Sequence, residues 1–326
     1  MSCNVLCLRP EADFLKLGVT PPEALSIRYL SPDSPDLRAA FLEARALLIP
    51  AVGPKLPPDL FAGTPIELVQ VTGAGIDRVD AAALKSLNIA VANVPGGSSG
   101  AIAEYAVSSA LNLLRRTTWA DRELRKGNYV AARSRMLAEN LSGLEGLTVG
   151  VVGLGIIGLA VAKAFHDMRS HIVYHDPAVR DPKLAMALGA RALPLADLLR
   201  DSDIVTLHVP LLASTESLIA DAEFQQMKAG AILINAARGG VVDEAALARS
   251  LSSGHLAAAA VDVFSSEPPA ADNPLLMLED EVAGRLLLTP HLAGVTRQSW
   301  VFLFQTAWQN VEAALLRGEP PANRVF

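Results

Sequence analysis

A chain of 326 residues exceeds one typical domain of ~100–200 residues, so two domains are expected, and 51% apolar against 19% charged residues excludes disorder. The net charge of −6, from 28 basic and 34 acidic residues without long single-sign blocks, argues against a nucleic-acid partner. Two cysteines, Cys3 and Cys7, exclude a disulfide framework and a cysteine-rich metal site, so no metal is expected, and both read as fillers in a reducing cytoplasm.

Along the chain, the first apolar run, 5–8, ends at Arg9-Pro10-Glu11 and is too short for a secretory signal. Further apolar stretches at 26–30, 46–50, 68–72 and 89–93 alternate with helical segments such as 37–44 and 81–86. That rhythm predicts an α/β unit with a parallel sheet covered on both faces. After the turn Pro95-Gly96-Gly97-Ser98-Ser99 comes a helix over 101–114, apolar nearly all round and read as an interdomain helix. The stretch 115–146 is more polar; its Arg122, Glu123, Arg125, Lys126, Arg133 and Arg135 read as a solvated helical face. A second series begins at 147, with strands expected at 148–152, 171–175, 204–208, 231–235, 257–261 and 286–289, a six-stranded doubly wound sheet. The uncharged stretch 147–162 holds four glycines and is shorter than the ~20 residues of a spanning helix, so no membrane association is expected. The closing segment 298–316 is helical and needs a partner, which the first domain can supply.

The segment Gly153-Leu154-Gly155-Ile156-Ile157-Gly158 places G-x-G-x-x-G directly after a strand and at the start of a helix. Gly153 permits the tight turn, Gly155 lets the backbone approach a pyrophosphate, Gly158 brings helix and strand close, and the helix N-terminus supplies oriented amides. Asp176 ends the next strand, 18 residues beyond Gly158, where a carboxylate accepts from both ribose hydroxyls and repels a 2′-phosphate. NAD is therefore expected over NADP, with Arg180 the one nearby residue suited to a phosphate.

Three polar residues end apolar strands of this second unit: Arg238 after Asn235-Ala236-Ala237, Glu267 before Pro268, and His291 in Thr289-Pro290-His291. Such ends face the ligand crevice of an open α/β sheet. Each alone suits a bland role, a cap for Arg238, a turn acid for Glu267, a surface turn for His291. Jointly they supply a cation for a carboxylate, an acid/base and a carboxylate to tune it.

With these motifs in order the sequence closely resembles the D-isomer-specific 2-hydroxyacid dehydrogenase family. The resemblance covers almost the whole chain, through GLGIIG with Asp176, NAARGGVVDE (235–244), DVFSSEP (262–268), TPHLAG (289–294), VTGAGIDRVD (71–80) and NVPGGSSGAIAEYA (93–106). It implies two doubly wound parallel-sheet domains, a Rossmann NAD-binding domain (100–293, with a dimerisation arm) inserted into a flavodoxin-like substrate domain (1–99 and 294–326). It implies a homodimer through about 101–144, and a substrate carboxylate held by the amides of Gly73, Ala74 and Gly75 and by Arg238. The residues suit this, since glycines let backbone approach an anion and a guanidinium binds a carboxylate in a planar fork. Family position adds Val209, Pro210, Ala236, Ala237, Asp262 and Gly294 to the cofactor-lining set of Gly153, Gly155, Ile156, Ile157, Gly158, Asp176, Arg238 and His291, with strand-end capping a competing role for Asp262. His291 would give its proton to the carbonyl oxygen of a 2-keto acid as hydride reaches carbon, with Glu267 favouring the imidazolium. Val71-Thr72 stands where phosphoglycerate enzymes commonly carry arginine, and Glu267 in place of glutamine argues against the formate dehydrogenase branch. A glyoxylate- or hydroxypyruvate-type substrate is favoured. Corepressor-like NAD(H) sensing, phosphite oxidation and phosphoglycerate oxidation on the same scaffold are the alternatives.

Overall fold

In the computed structural model, which describes residues 5–139, 141–178 and 182–326, the chain separates into two units, Met1–Ser98 with Val295–Phe326, and Ser99–Gly294. Cys3 and Arg180 lie outside the described residues.

The first unit is built on five parallel strands, β1 (Val5–Cys7), β2 (Ile27–Tyr29), β3 (Ala46–Pro50), β4 (Leu68–Thr72) and β5 (Ala90–Ala92), in the order β2-β1-β3-β4-β5. That is the flavodoxin-type order, with its reversal beside β1. Central strands β3 and β4 read as largely apolar runs, β4 interrupted by Gln70 and ended by Thr72, because both faces are covered. Ala46 and Leu48 join Val5, Cys7, Phe14 and Leu68 on one face, and Leu47 and Ile49 join Leu6, Phe41, Phe61 and Val71 on the other. The period of two puts alternate side chains of one strand into different cores. The first of these cores is completed by Leu303, Phe304, Ala307, Trp308 and Val311 of the helix Arg297–Glu312. Truncating a side chain of that size to alanine costs about 3–5 kcal/mol, so the closing helix is structural for this unit. The polar residue of β4, Gln70, is satisfied: Nε2 donates to the Val71 carbonyl at 2.8 Å, and Oε1 accepts from buried Asn310 Nδ2 at 2.9 Å.

The second unit carries seven parallel strands, β6 (Thr148–Val152), β7 (His171–His175), β8 (Arg191–Ala192), β9 (Ile204–Leu207), β10 (Ile232–Asn235), β11 (Ala258–Val261) and β12 (Leu286–Leu288), in the order β12-β11-β10-β9-β6-β7-β8. Six strands were expected; the additional one, β8, is two exposed residues paired with Val173 and Tyr174, too short to show an apolar run. The order is that of a Rossmann sheet extended at one edge, and its switch point falls where β6 has β7 on one side and β9 on the other. The apolar helix read as interdomain, Ser99–Arg115, packs within this unit, its Ile102, Ala103 and Ala106 sharing a core with Val161, Ala162 and Phe165 of the helix Ile156–Asp167. Two shorter helices follow, Thr117–Arg125 and Tyr129–Ala138, whose charges pair locally: Arg125 with Asp121 at 2.8 Å, Lys126 with Glu123 at 3.0 Å and Arg135 with Glu139 at 2.8 Å. This is the solvated face that the sequence indicates.

Candidate active site

The glycine motif occupies the switch point of the second sheet. Gly153 has φ +90°, and a Cβ on it would lie 2.6 Å from the His208 carbonyl oxygen and 2.8 Å from Val209 Cγ1, so any side chain would push the turn off the end of β9. A Cβ on Gly158 would meet the Gly153 carbonyl oxygen at 1.9 Å, which is how closely the helix Ile156–Asp167 crosses the turn. At Gly155 an added Cβ meets nothing within 4 Å, so this side of the loop is open at the uncapped start of the helix. Ile156, 60% exposed, stands beside it, and Ile157 packs on the core. Asp176 closes the loop from the end of β7: Oδ2 accepts from Leu154 N at 2.8 Å and Oδ1 from Ala178 N at 2.9 Å. A tight turn, an open glycine, free helix amides and a carboxylate on the next strand together fit a dinucleotide. Val209 flanks this turn and exposed Pro210 follows it, its carbonyl accepting from Thr215 Oγ1 at 2.6 Å.

His291 and Glu267 meet although 24 residues separate them: Nδ1 lies 2.8 Å from Glu267 Oε2 and 3.0 Å from Oε1. The pair is accessible, the side chains being 27% and 28% exposed, and Nε2 is the ring nitrogen left for another partner. His291 sits at φ +51°, a left-handed conformation that costs a residue with a Cβ about 1–2 kcal/mol. Asp262 explains how it is held. Its carbonyl accepts from His291 N at 2.8 Å, and its carboxylate accepts from Leu292 N and Ala293 N at 2.8 Å each and from Thr289 Oγ1 at 2.6 Å. Asp262 therefore caps the loop carrying the imidazole, the competing role foreseen for it. Burial pushes its carboxyl above the usual carboxylate range, and the bonds from Thr289, Ala293 and Leu292 oppose that without cancelling it. Tyr105 OH lies 2.7 Å from Thr289 Oγ1 and extends the chain to the helix Ser99–Arg115.

Arg238 follows the buried Ala236 and Ala237 at the end of β10, where Asn235 Oδ1 accepts from Ala237 N at 3.2 Å and shapes the turn. A Cβ on Gly239 would fall 1.8 Å from the Phe264 carbonyl oxygen and 2.7 Å from Ser265 N, so the Arg238 loop lies directly against the loop that leads to Glu267. Glu244, which sequence reasoning left without a role, fixes that second loop by accepting from Ser265 N at 2.6 Å and Asn273 Nδ2 at 2.6 Å. Its position at the end of the NAARGGVVDE motif was the available signal. Gly294 is the last residue of this unit.

Gly73, Ala74 and Gly75 belong to the first unit, just after β4. The Gly73 carbonyl accepts from Val94 N at 2.8 Å and the Ala74 carbonyl from Asn93 Nδ2 at 2.6 Å. In a planar trans peptide the N–H points opposite to the C=O, so anchoring these two carbonyls turns the amides of Ala74 and Gly75 away from the 93–94 segment. Two such amides side by side form a concavity for an anion.

Residues 107–293 match the family model for the D-isomer specific 2-hydroxyacid dehydrogenase, NAD binding domain. The chain belongs to that dehydrogenase family. Its second unit is the family's NAD-binding domain, and the family places it among NAD-dependent oxidoreductases. The chain is 35% identical to a glyoxylate reductase from Korarchaeum cryptofilum over 82% of its own length and 78% of that protein. It is 38% identical to a D-3-phosphoglycerate dehydrogenase from Archaeoglobus fulgidus over 72% of its own length, but the match takes in only 42% of that longer protein. Among solved structures, a D-lactate dehydrogenase from Aquifex aeolicus complexed with NAD and lactic acid superposes with TM-score 0.83 at 26% identity, over 98% of each chain.

Proposed function

We propose that this dehydrogenase reduces a small, unphosphorylated 2-keto acid to its D-2-hydroxy acid, with glyoxylate or hydroxypyruvate the favoured type of substrate. The observation that carries this reading is the accessible His291–Glu267 pair at 2.8 Å, on a loop held by Asp262 at the end of a sheet that carries a dinucleotide motif. NADH, when bound, supplies the hydride. His291 holds the proton on Nε2 and gives it to the carbonyl oxygen, while Glu267 accepts from Nδ1 and stabilises the imidazolium before transfer. Arg238 supplies the cation that binds a carboxylate and polarises a keto group, and in the first unit the amides of Ala74 and Gly75 are the groups suited to a carboxylate. Around the cofactor the glycine loop takes the pyrophosphate and Asp176 the adenosine ribose, with Val209, Pro210, Ala236, Ala237 and Gly294 as lining.

The test follows NADH absorbance with glyoxylate, hydroxypyruvate, pyruvate, benzoylformate and 3-phosphohydroxypyruvate. Oxidation with an unphosphorylated acid is expected, and the reverse reaction should take the D and not the L hydroxy acid. Inactivity across the panel overturns the reading. We further propose a homodimer built on the helices Thr117–Arg125 and Tyr129–Ala138, supported by exposed Leu124, Tyr129, Val130 and Leu137 along them. Light scattering after size-exclusion chromatography should give twice the 34.3 kDa chain mass, and 34.3 kDa at every concentration rejects it.

A further inference from the structure

Arg78 is 3% exposed, and among the described residues it has no carboxylate partner. Its Nε donates to the Pro54 carbonyl at 2.9 Å and Nη1 to the Pro50 carbonyl at 3.1 Å, while Nη2 is buried without a partner. Burial pushes the guanidinium down from its ordinary value, with no acidic neighbour opposing it. A buried cation left uncompensated is unfavourable unless an anion is drawn to it.

The geometry shows where that anion would go. The two carbonyls come from the two ends of the turn 50–54, so the turn is clasped around the cation. Gly53, at φ +133°, closes directly over it, since a Cβ there would lie 3.1 Å from Arg78 Cζ. The bond to the Pro50 carbonyl turns the Ala51 N–H away from the guanidinium. Ala51 in turn supports the amide loop, a Cβ on Gly73 being 2.6 Å from Ala51 Cβ. Guanidinium, turn and amide loop thus follow one another in contact, with the cation itself buried beneath the turn, where its charge is screened less than that of an exposed side chain.

We propose that Arg78 is a positioning residue for anion binding, its unpaired charge and its clasp on the turn 50–54 raising the affinity of the Gly73–Gly75 loop for the carboxylate of the substrate. This rests on the assignment of that loop to the carboxylate. A guanidinium there makes the first unit select acids over neutral carbonyl compounds without touching the substrate itself.

The test compares wild type, Arg78→Gln and Arg78→Lys in keto-acid kinetics, with the thermal midpoint measured with and without oxamate. Arg78→Gln should raise KM for the keto acid ~10-fold or more with KM for NADH unchanged and kcat within ~3-fold, and Arg78→Lys should stay within ~3-fold of wild type throughout. An unchanged KM in folded Arg78→Gln overturns the proposal, and so does an equal rise in both variants, which would mark simple loop support. Should Arg78→Gln fail to fold, Arg78→Lys decides alone, a ~10-fold rise in KM counting against the proposal and wild-type behaviour for it. If wild type reduces no keto acid, the proposed reaction fails while Arg78 is still judged by oxamate. A stabilisation present in wild type and lost in Arg78→Gln supports it, and one equal in both, or absent from wild type, overturns it.

Discussion

His291 is fixed twice, by Glu267 on its ring and by Asp262 on the backbone around it, and of the two only the ring is able to move a proton in the proposed reaction. His291→Ala should therefore lower turnover by roughly 10²–10⁴ while NADH affinity, measured by fluorescence titration, stays near wild type. Turnover equal to wild type would remove the imidazole from the mechanism. A second histidine behaves differently. His208, behind the glycine loop, has a buried Nδ1 with no hydrogen-bond partner among the described residues, and burial holds its pKa down at about 3. The unfolded chain takes up that proton near ~6.5, so between the two values the unfolded state binds more protons and stability falls as pH falls. Replacing it by phenylalanine should remove one proton from this linkage, flattening the slope of unfolding free energy between pH ~4 and ~6 by about 1.4 kcal/mol per pH unit. Urea melts across that range read the slope, and identical slopes would show that His208 is solvated.

At the scale of elements, the site depends on loops pressed together without side chains between them. Gly239→Ala would drive a methyl group to 1.8 Å from the Phe264 carbonyl oxygen, so the Arg238 loop must lift from the loop leading to Glu267. Activity should drop at least ~100-fold, with Tm lowered by several degrees, because a misplaced cation and acid lose the gain from orientation. Retained activity would show that the two loops move independently. The same elements show what could be read beforehand. Strands β3, β4, β6, β9, β10 and β11 were legible because burial on both faces writes a mostly apolar run, broken only by single polar residues such as Gln70 and Thr206. The two exposed residues of β8 write none. Glu267 and His291 were legible as polar residues at strand ends, but their approach required the fold. The bond between Tyr105 and Thr289 spans 184 residues and the clasp of Arg78 on two proline carbonyls is backbone recognition, and neither leaves a periodic trace.

For the whole molecule, the decisive feature is that one unit is continuous in sequence and the other is not. Residues 99–294 contain the glycine loop, Asp176 and the His291–Glu267 pair, so this piece expressed alone should fold and bind NADH without reducing keto acids. Circular dichroism and fluorescence titration check this, and an unfolded fragment would make the second unit dependent on the first. Residues 1–98 alone lack Phe304, Ala307 and Trp308 and should stay unfolded. During synthesis the ribosome would then release a finished nucleotide-binding half while the amino-terminal strands still wait for Trp308, their apolar faces open to any passing chaperone or neighbouring chain.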